Sequence, residues 1–250
     1  MVDTQFGVLV IGDEILSGKR QDRHFPHVVD TLRARGQSVV WYRVVADDPR
    51  ALYNSLRHSQ QDCVPVLCFG GIGATPDDNT RQAAAQAFGC RLQVHSEALA
   101  LIESRFGAAA RPNRVRMAEL PEGCLLIPNA HNRIAGFTLY EHHFFPGFPN
   151  MAWPMLDWVL ERYYPRCESS LLYESSLRVF GVSESELLGL MERMTLEYPA
   201  ARLFSLPRLG NPVSIELGFR GEQRDVDAAF ARLQSELTQR RLLFERQDAA

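Results

Sequence analysis

A single lysine, Lys19, serves all 250 residues, and this scarcity excludes the nucleotide sites built around a phosphate-binding lysine. No G-x-x-x-x-G-K-[ST] occurs, and neither does the dinucleotide pattern G-x-G-x-x-G. The serine-hydrolase elbow G-x-S-x-G is missing too, which removes serine hydrolysis. No apolar run approaches the ~20 residues a membrane span needs. The N-terminus enters an apolar run without the charged region and cleavage site of a signal peptide. A cytoplasmic location with no membrane partner is therefore expected. The five cysteines (Cys63, Cys68, Cys90, Cys124 and Cys167) form no C-x-x-C pair. With no histidine at zinc-finger spacing, they read as small buried apolar residues. The 27 basic and 30 acidic residues leave a net charge of −3, so no global attraction to nucleic acid is expected.

The chain is rich enough in apolar residues, 46% against 23% charged, to bury a sizeable core, and its length suits a large domain and a small one. "FGVLVIG" (6–12) reads as a buried strand. Phe25, Val28, Val29 and Leu32 then recur at helical spacing from about Asp22, with Gly36 at the end. "SVVWYRVV" (38–45) is a second strand, and Asp48-Pro49 pairs an N-cap with the residue best suited to the first helical position. A third strand over 64–69 follows, with Pro65 at its start. Helices are expected over 80–88 and from Ser96. Strand and helix thus alternate four times, which predicts parallel strands in a three-layer α/β/α domain, whose ligands collect beyond the carboxyl ends of the strands.

From 112 to 149 the runs "CLLIP", "GFTLY" and "HHFFPGFP" read as shorter strands between loops. The segment 150–164 reads as a helix in which Pro154 sits in the first turn or interrupts it. Beyond Pro165 a small α+β domain is expected. Its order should be helix, strand, strand, helix: a helix capped by Ser183 and Glu186, two strands including "VSIELGF", and a last helix carrying Val226, Phe230, Leu233 and Leu237. The expected division is 1–166 and 167–250.

The most informative stretch is "FGGIGATPDDNT" (69–80), between a strand and a helix. Gly70, Gly71 and Gly73 let the chain bend tightly and leave main-chain N–H groups open to an anion. A helix start adds its positive dipole end, and Thr75 and Thr80 offer hydroxyls. Asp77 and Asp78 would repel a phosphate unless a cation lay between, and hard carboxylate oxygens suit Mg²⁺ or another divalent ion. Two readings stay open from these residues alone: metal ligands, or helix caps. At the end of the first strand, "IGDEILSG" places Asp13 and Glu14 at the same sheet edge. His24 and His27 share a helix face at i, i+3 and read as a solvated pair. His142 and His143, adjacent in a strand, point to opposite faces and do not share a metal.

Taken together, "GDEILSG" (12–18), "VVADDP" (44–49), "GGIGATPDDNT" (70–80), "LIPNAHNRIAGF" (126–137) and "FFPGFPNMAWPM" (144–155) resemble the CinA (competence/damage-inducible protein A) family. Its molybdopterin-binding-like domain is related to those of MogA, MoaB, MoeA and gephyrin. The resemblance covers roughly residues 5–165. It implies a MogA-like fold with a mostly parallel sheet, a molybdopterin or adenine-type nucleotide as ligand, and metal-supported hydrolysis of a pyrophosphate. A binding protein without catalysis is the alternative. On this resemblance Asn129, Pro146 and Gly147 join the ligand-binding residues, Asp77 and Asp78 the metal-binding and catalytic ones, and a homodimer or homotrimer is implied.

Three departures from the family pattern stand out. Ala74 replaces the usual proline, Asn132-Arg133-Ile134-Ala135 replaces G-T-A-P, and no acid precedes Met151. Arg133 is then a candidate phosphate partner. The tail (168–245) is more loosely similar to the small domain that follows in CinA proteins. It lacks the G-x-x-G loop of RNA-binding KH domains, so no RNA binding is expected. The amidohydrolase-type domain of full-length CinA is not present in the sequence, and its activity is not expected.

Overall fold

The structure is a computed structural model that describes residues 4–165, 173–208, 210 and 212–247. It divides into two compact units, Met1–Glu168 and Ser169–Ala250. Cys167 and the expected division between 166 and 167 lie outside the described residues.

The first unit runs β1 (Gln5–Ile11), α1 (Asp13–Leu16), α2 (His24–Arg33), β2 (Ser38–Val45), α3 (Pro49–Ser59), β3 (Val66–Phe69), α4 (Thr80–Phe88), β4 (Leu92–Val94) and α5 (Ser96–Phe106). It continues with β5 (Glu119–Pro121), β6 (Leu125–Ile127), β7 (Gly136–Leu139), β8 (His142–Phe145) and α6 (Pro149–Tyr163). Its six-stranded sheet has the order β2-β1-β3-β8-β7-β6. Neighbours among β2, β1, β3 and β8 pair in parallel, and only β7 runs against its neighbours.

Alternation along the strands separates two cores. Leu9, Ile11, Val66, Cys68 and Phe144 face Leu52 and Leu56 of α3, the alanines of α4 and Ile102 of α5. Phe6, Val8, Val10, Leu67 and Phe145 face Val28 and Leu32 of α2 and Met155, Leu156 and Val159 of α6. This is the three-layer α/β/α arrangement, with helices covering both faces of a mostly parallel sheet.

The fourth strand of the alternating pattern is placed elsewhere. β4 pairs only with β5, outside the main sheet, because "LQV" exposes two of its three residues and a central parallel strand must be buried on both faces. "HHFF" is buried throughout and takes the place beside β3. Pro154 neither opens nor breaks α6: the helix runs through it, with Pro149 in its first turn. Burial of Ala152, Met155, Leu156, Val159 and Leu160 along one side outweighs the missing N–H. Asp48 caps α3, accepting the Ala51 N–H at 2.8 Å, and Gly89 ends α4 at φ 70°, both as the sequence indicates. Cys68 and Cys124 are buried, but Cys63 is exposed in the loop before β3.

The second unit holds β9 (Tyr173–Phe180), α7 (Glu184–Glu197), β10 (Arg202–Arg208), β11 (Ser214–Gly221), α8 (Gln223–Gln239) and β12 (Phe244–Gln247). Its antiparallel sheet has the order β10-β11-β9-β12. Leu177, Val179, Ile215, Leu217 and Phe219 pack against Leu187, Leu190 and Met194 of α7 and Val226, Phe230 and Leu233 of α8. Glu186 accepts the Ser183 N–H at 2.9 Å, as expected of a capping box. β9 and β12 add two strands the sequence pattern left out: "ESS" interrupts the apolar alternation of one, and "FERQ" is short and charged. No helix among the described residues is long and apolar enough to cross a membrane.

Candidate functional site

β1, β2, β3 and β8 all end at one edge, and the loops that follow them meet there. The turn after β3 is fixed by its own hydrogen bonds. Gly70 N–H donates to the Phe145 carbonyl at 3.0 Å, and Thr80 N–H to the Gly71 carbonyl at 3.1 Å. Gly71, at φ 68°, cannot be replaced freely because a Cβ would collide with the Thr80 hydroxyl; one on Gly73 would collide with the Asp78 carboxylate. From α4, Arg81 reaches back to donate to the Gly73 carbonyl at 2.7 Å. The N–H groups of Gly71, Ile72, Gly73 and Ala74 have no acceptor among the described residues. Four successive free amides in a bend form an anion-seeking concavity.

The threonines do not play equal parts. Thr80 is fully buried and its hydroxyl donates to the Gly70 carbonyl at 3.1 Å, so it braces the turn and is not free to donate to a phosphate. This corrects the sequence-based expectation for Thr80. Thr75 is exposed. Its N–H donates to Asp78 Oδ2 at 2.9 Å, and its hydroxyl donates to the same oxygen. That hydroxyl also lies close enough to Asp77 to hold the exposed Asp77 carboxyl below its usual range. The capping alternative fails for both acids: the N-cap of α4 is Asn79, and no side chain caps the helix.

The loops after β1 and β2 are tied together. Asp13 N–H donates to Asp47 Oδ2 at 3.0 Å, and Asp47 N–H returns a bond to Asp13 Oδ1 at 3.4 Å. Burial pushes the Asp47 carboxyl up against the lowering effect of the Asp13 N–H, and the charges of Asp13, Glu14 and Asp77 push it further the same way. Asn79 then links this loop to the turn, donating to the Asp47 carbonyl at 3.3 Å and the Asp77 carbonyl at 3.1 Å. Asp13, Glu14 and the Gly70–Thr80 turn therefore share one edge. Asp47, which the sequence reading passed over beside its capping neighbour, sits among them; two adjacent acids just past a parallel strand were the available signal.

Gly147 closes the other side, with its Cα so placed that a Cβ would lie 3.5 Å from Gly70 Cα. Its carbonyl contacts His24 Nε2 at 3.0 Å, and Pro146 precedes it, half-buried. His24 is not solvated as expected: it is 6% exposed and stacks on Phe69 with centroids 4.5 Å apart. Burial lowers its pKa, keeping the ring neutral, so Nε2–H donates to the Gly147 carbonyl. Asn129 also differs from expectation. It is 6% exposed, its amide donates to the Ile134 carbonyl at 3.0 Å and its oxygen accepts the His131 N–H at 3.0 Å. It organises its own loop, where its side-chain oxygen and one amide N–H are engaged. Arg133 is exposed and reaches Ser104 at 3.4 Å.

Among the described residues no three His, Cys, Asp or Glu side chains converge on a metal position. Asp77 is exposed, and Asp78 Oδ1 carries no hydrogen bond among the described residues. The pair fits a divalent ion that arrives with a phosphate and brings most of its oxygen ligands along. It does not make a self-sufficient cation site.

A mostly parallel sheet between two helical layers, with its loops gathered at the carboxyl edge, is the architecture of a MogA-like molybdopterin-binding domain. The family model described as "Probable molybdopterin binding domain" matches residues 7–166, and the chain belongs to that family. It is similar to the CinA-like protein of Citrifermentans bemidjiense, 36% identical over 193 residues, which are 74% of this chain and 46% of that protein. The CinA-like protein of Geobacter sp. (strain M21) is 33% identical over 195 residues, 74% of this chain and 46% of its own length. The chain thus spans about half the length of these curated relatives. Among solved structures, that of the protein CinA from Thermoplasma acidophilum matches with a TM-score of 0.59 and 27% identity, covering 64% of this chain and 97% of that one.

Proposed function

We propose that the first unit binds the phosphate or diphosphate of a molybdopterin or adenine-type nucleotide at the Gly71–Ala74 amides and hydrolyses a pyrophosphate bond there. The observation that carries this reading is the row of four N–H groups that have no acceptor among the described residues, in a turn held by the Gly70, Thr80 and Arg81 bonds. Fixed dipoles of this kind need no reorganisation to meet charge developing on a phosphoryl group. Asp77 and Asp78 are the residues that would hold Mg²⁺ or another divalent ion, which supplies charge neutralisation and a more acidic water. Asp78 has a second task, because its carboxylate clamps Thr75. Asp13 and Glu14 form the far wall, and Pro146-Gly147 the near one.

A second reading, binding without turnover, is supported by the lack, among the described residues, of three converging ligands for a resident metal. Incubation with ADP-ribose and Mg²⁺, followed by chromatography for released AMP, separates the two. Turnover that needs the metal and is lost in Asp77→Asn supports hydrolysis. Saturable binding of ADP-ribose without AMP release supports the binding protein. Neither binding nor turnover removes both.

A further inference from the structure

A cavity of about 440 Å³ opens at the opposite end of the sheet, where β3 and β8 begin. Ser59, Gln60, Cys63 and Val64 line one side, and Phe88, Tyr140, Glu141 and His142 the other. Its volume falls within the range of small-ligand pockets. None of its lining residues belongs to the carboxyl-edge site.

Its chemistry is legible from three observations. The first is an aromatic wall: the Phe88 and Tyr140 rings lie 5.5 Å apart, tilted by 37°. Tyr140 is 71% exposed and held at φ 51° in the tight β7–β8 turn. A large exposed ring on a constrained backbone gains little from its position unless something flat packs against it.

The second is the base of the cavity. His142 is 3% exposed and meets Phe88 edge-on at 4.8 Å. Ser59, 1% exposed, donates its only hydroxyl proton to the Leu56 carbonyl at 2.9 Å. The 2.8 Å contact between Ser59 Oγ and His142 Nε2 is then an Nε2–H donation to the serine oxygen. Burial pushes the His142 pKa down to about 4, so the ring carries one proton, and Nδ1 keeps a bare lone pair. Among the described residues Nδ1 has no hydrogen-bond partner, an uncommon state for a buried acceptor.

The third is charge. Among the described residues neither lysine nor arginine lines the cavity, and Glu141 is acidic. A phosphorylated or carboxylated ligand would be repelled there without compensation.

We propose that this cavity is a second small-molecule site that takes a flat heteroaromatic ring, uncharged or singly positive and without phosphate, with an N–H that donates to His142 Nδ1. The ring lies against Phe88 and Tyr140. Nδ1 is closed off in this structure, so binding requires the His142 ring or the Tyr140 turn to move when the ligand enters.

The test uses 2-aminobenzimidazole as probe and quinoline, a flat bicycle with no N–H, as control, titrated to millimolar concentration into the ¹⁵N-labelled full chain. Probe-induced shifts are expected at residues 59–64, 88 and 140–142 and not at 70–80, with quinoline at least fivefold weaker. Tyr140→Ala, at an exposed position, should weaken the probe about tenfold, as should His142→Phe. Saturating probe should also slow alkylation of the exposed Cys63, followed by peptide mass spectrometry, several-fold. Absence of shifts, shifts confined to 70–80, or equal binding of probe and quinoline with undiminished affinity in Tyr140→Ala would each overturn the proposal. None of these results depends on whether the carboxyl-edge site binds phosphate.

Discussion

Arg81, 3% exposed, donates to the Gly73 carbonyl at 2.7 Å and to the Glu119 carbonyl at 3.0 Å, and also reaches the Arg116 carbonyl. One buried guanidinium thus anchors the bend of the anion-binding turn to the segment leading into β5. Drawing the Gly73 carbonyl toward Arg81 turns the N–H of the same planar peptide, that of Ala74, the opposite way.

Replacing Arg81 with lysine should disturb both stability and binding. An ammonium cannot reproduce the planar fork, and at least one carbonyl loses its donor at a cost of roughly 1–3 kcal/mol. Urea titration should show that loss. Calorimetry with ADP-ribose should show affinity reduced about tenfold, which corresponds to about 1.4 kcal/mol.

Thr80→Val tests the structural role assigned to the buried hydroxyl. The shape is nearly kept while the Gly70 carbonyl loses its partner, so stability should fall by about 1–3 kcal/mol. Thr75→Val, at an exposed position, should change stability by less and nucleotide binding by more. Denaturant midpoints and calorimetric affinities measured on both variants check the contrast.

Asp77 and Asp78 should separate on mutation. Asp77→Asn leaves the Thr75–Asp78 clamp in place, so nucleotide binding without metal should be unchanged while the benefit of added Mg²⁺ is lost. Asp78→Ala removes the acceptor that holds Thr75, so binding should weaken with and without metal. Titrations of ADP-ribose in Mg²⁺ and in EDTA distinguish the two patterns.

Stability should depend on pH through two neighbouring histidines. Burial holds His142 at about 4 and His143 at about 3, with the His142 charge a smaller contribution to the latter. Tyr164 gives its proton to Glu141 at 2.8 Å, so His143 Nε2–H donates to the tyrosine oxygen at 2.7 Å and Nδ1 accepts from Thr138 at 2.9 Å. The unfolded chain protonates both near pH 6.5, and the folded chain does not. Their contribution is therefore full above about pH 6.5 and is lost as pH falls toward 4, at about 1.4 kcal/mol per unit for each histidine. Urea midpoints between pH 7 and 4.5 should fall accordingly, and the slope should be shallower in His143→Gln than in the parent.

Much of this architecture is readable from local chemistry. The Asp48-Pro49 cap, Gly89 beyond α4 and the Ser183–Glu186 box act within a few residues of chain, and each stands where the pattern indicates. The two cores follow from the period-two alternation of "FGVLV" and the helical spacing of Val28 and Leu32. What escaped depends on residues distant in sequence. Thr80 reads as a free hydroxyl until the Gly70 carbonyl is placed against it, and Asn129 as a ligand group until its own loop folds around it. Arg81, an unremarked helix residue, becomes an anchor only when Gly73 and Glu119 converge on it. β4 resembles a fourth parallel strand until "HHFF" competes for the same place with better-buried side chains.

The most direct measurement is an ADP-ribose titration, with Mg²⁺, of the ¹⁵N-labelled protein, followed at the amides of Gly71, Ile72, Gly73 and Ala74. Progressive downfield shifts of these amides, saturating together and reversed by excess inorganic phosphate, are the predicted result. Saturable binding that leaves all four in place while moving signals elsewhere would contradict the account.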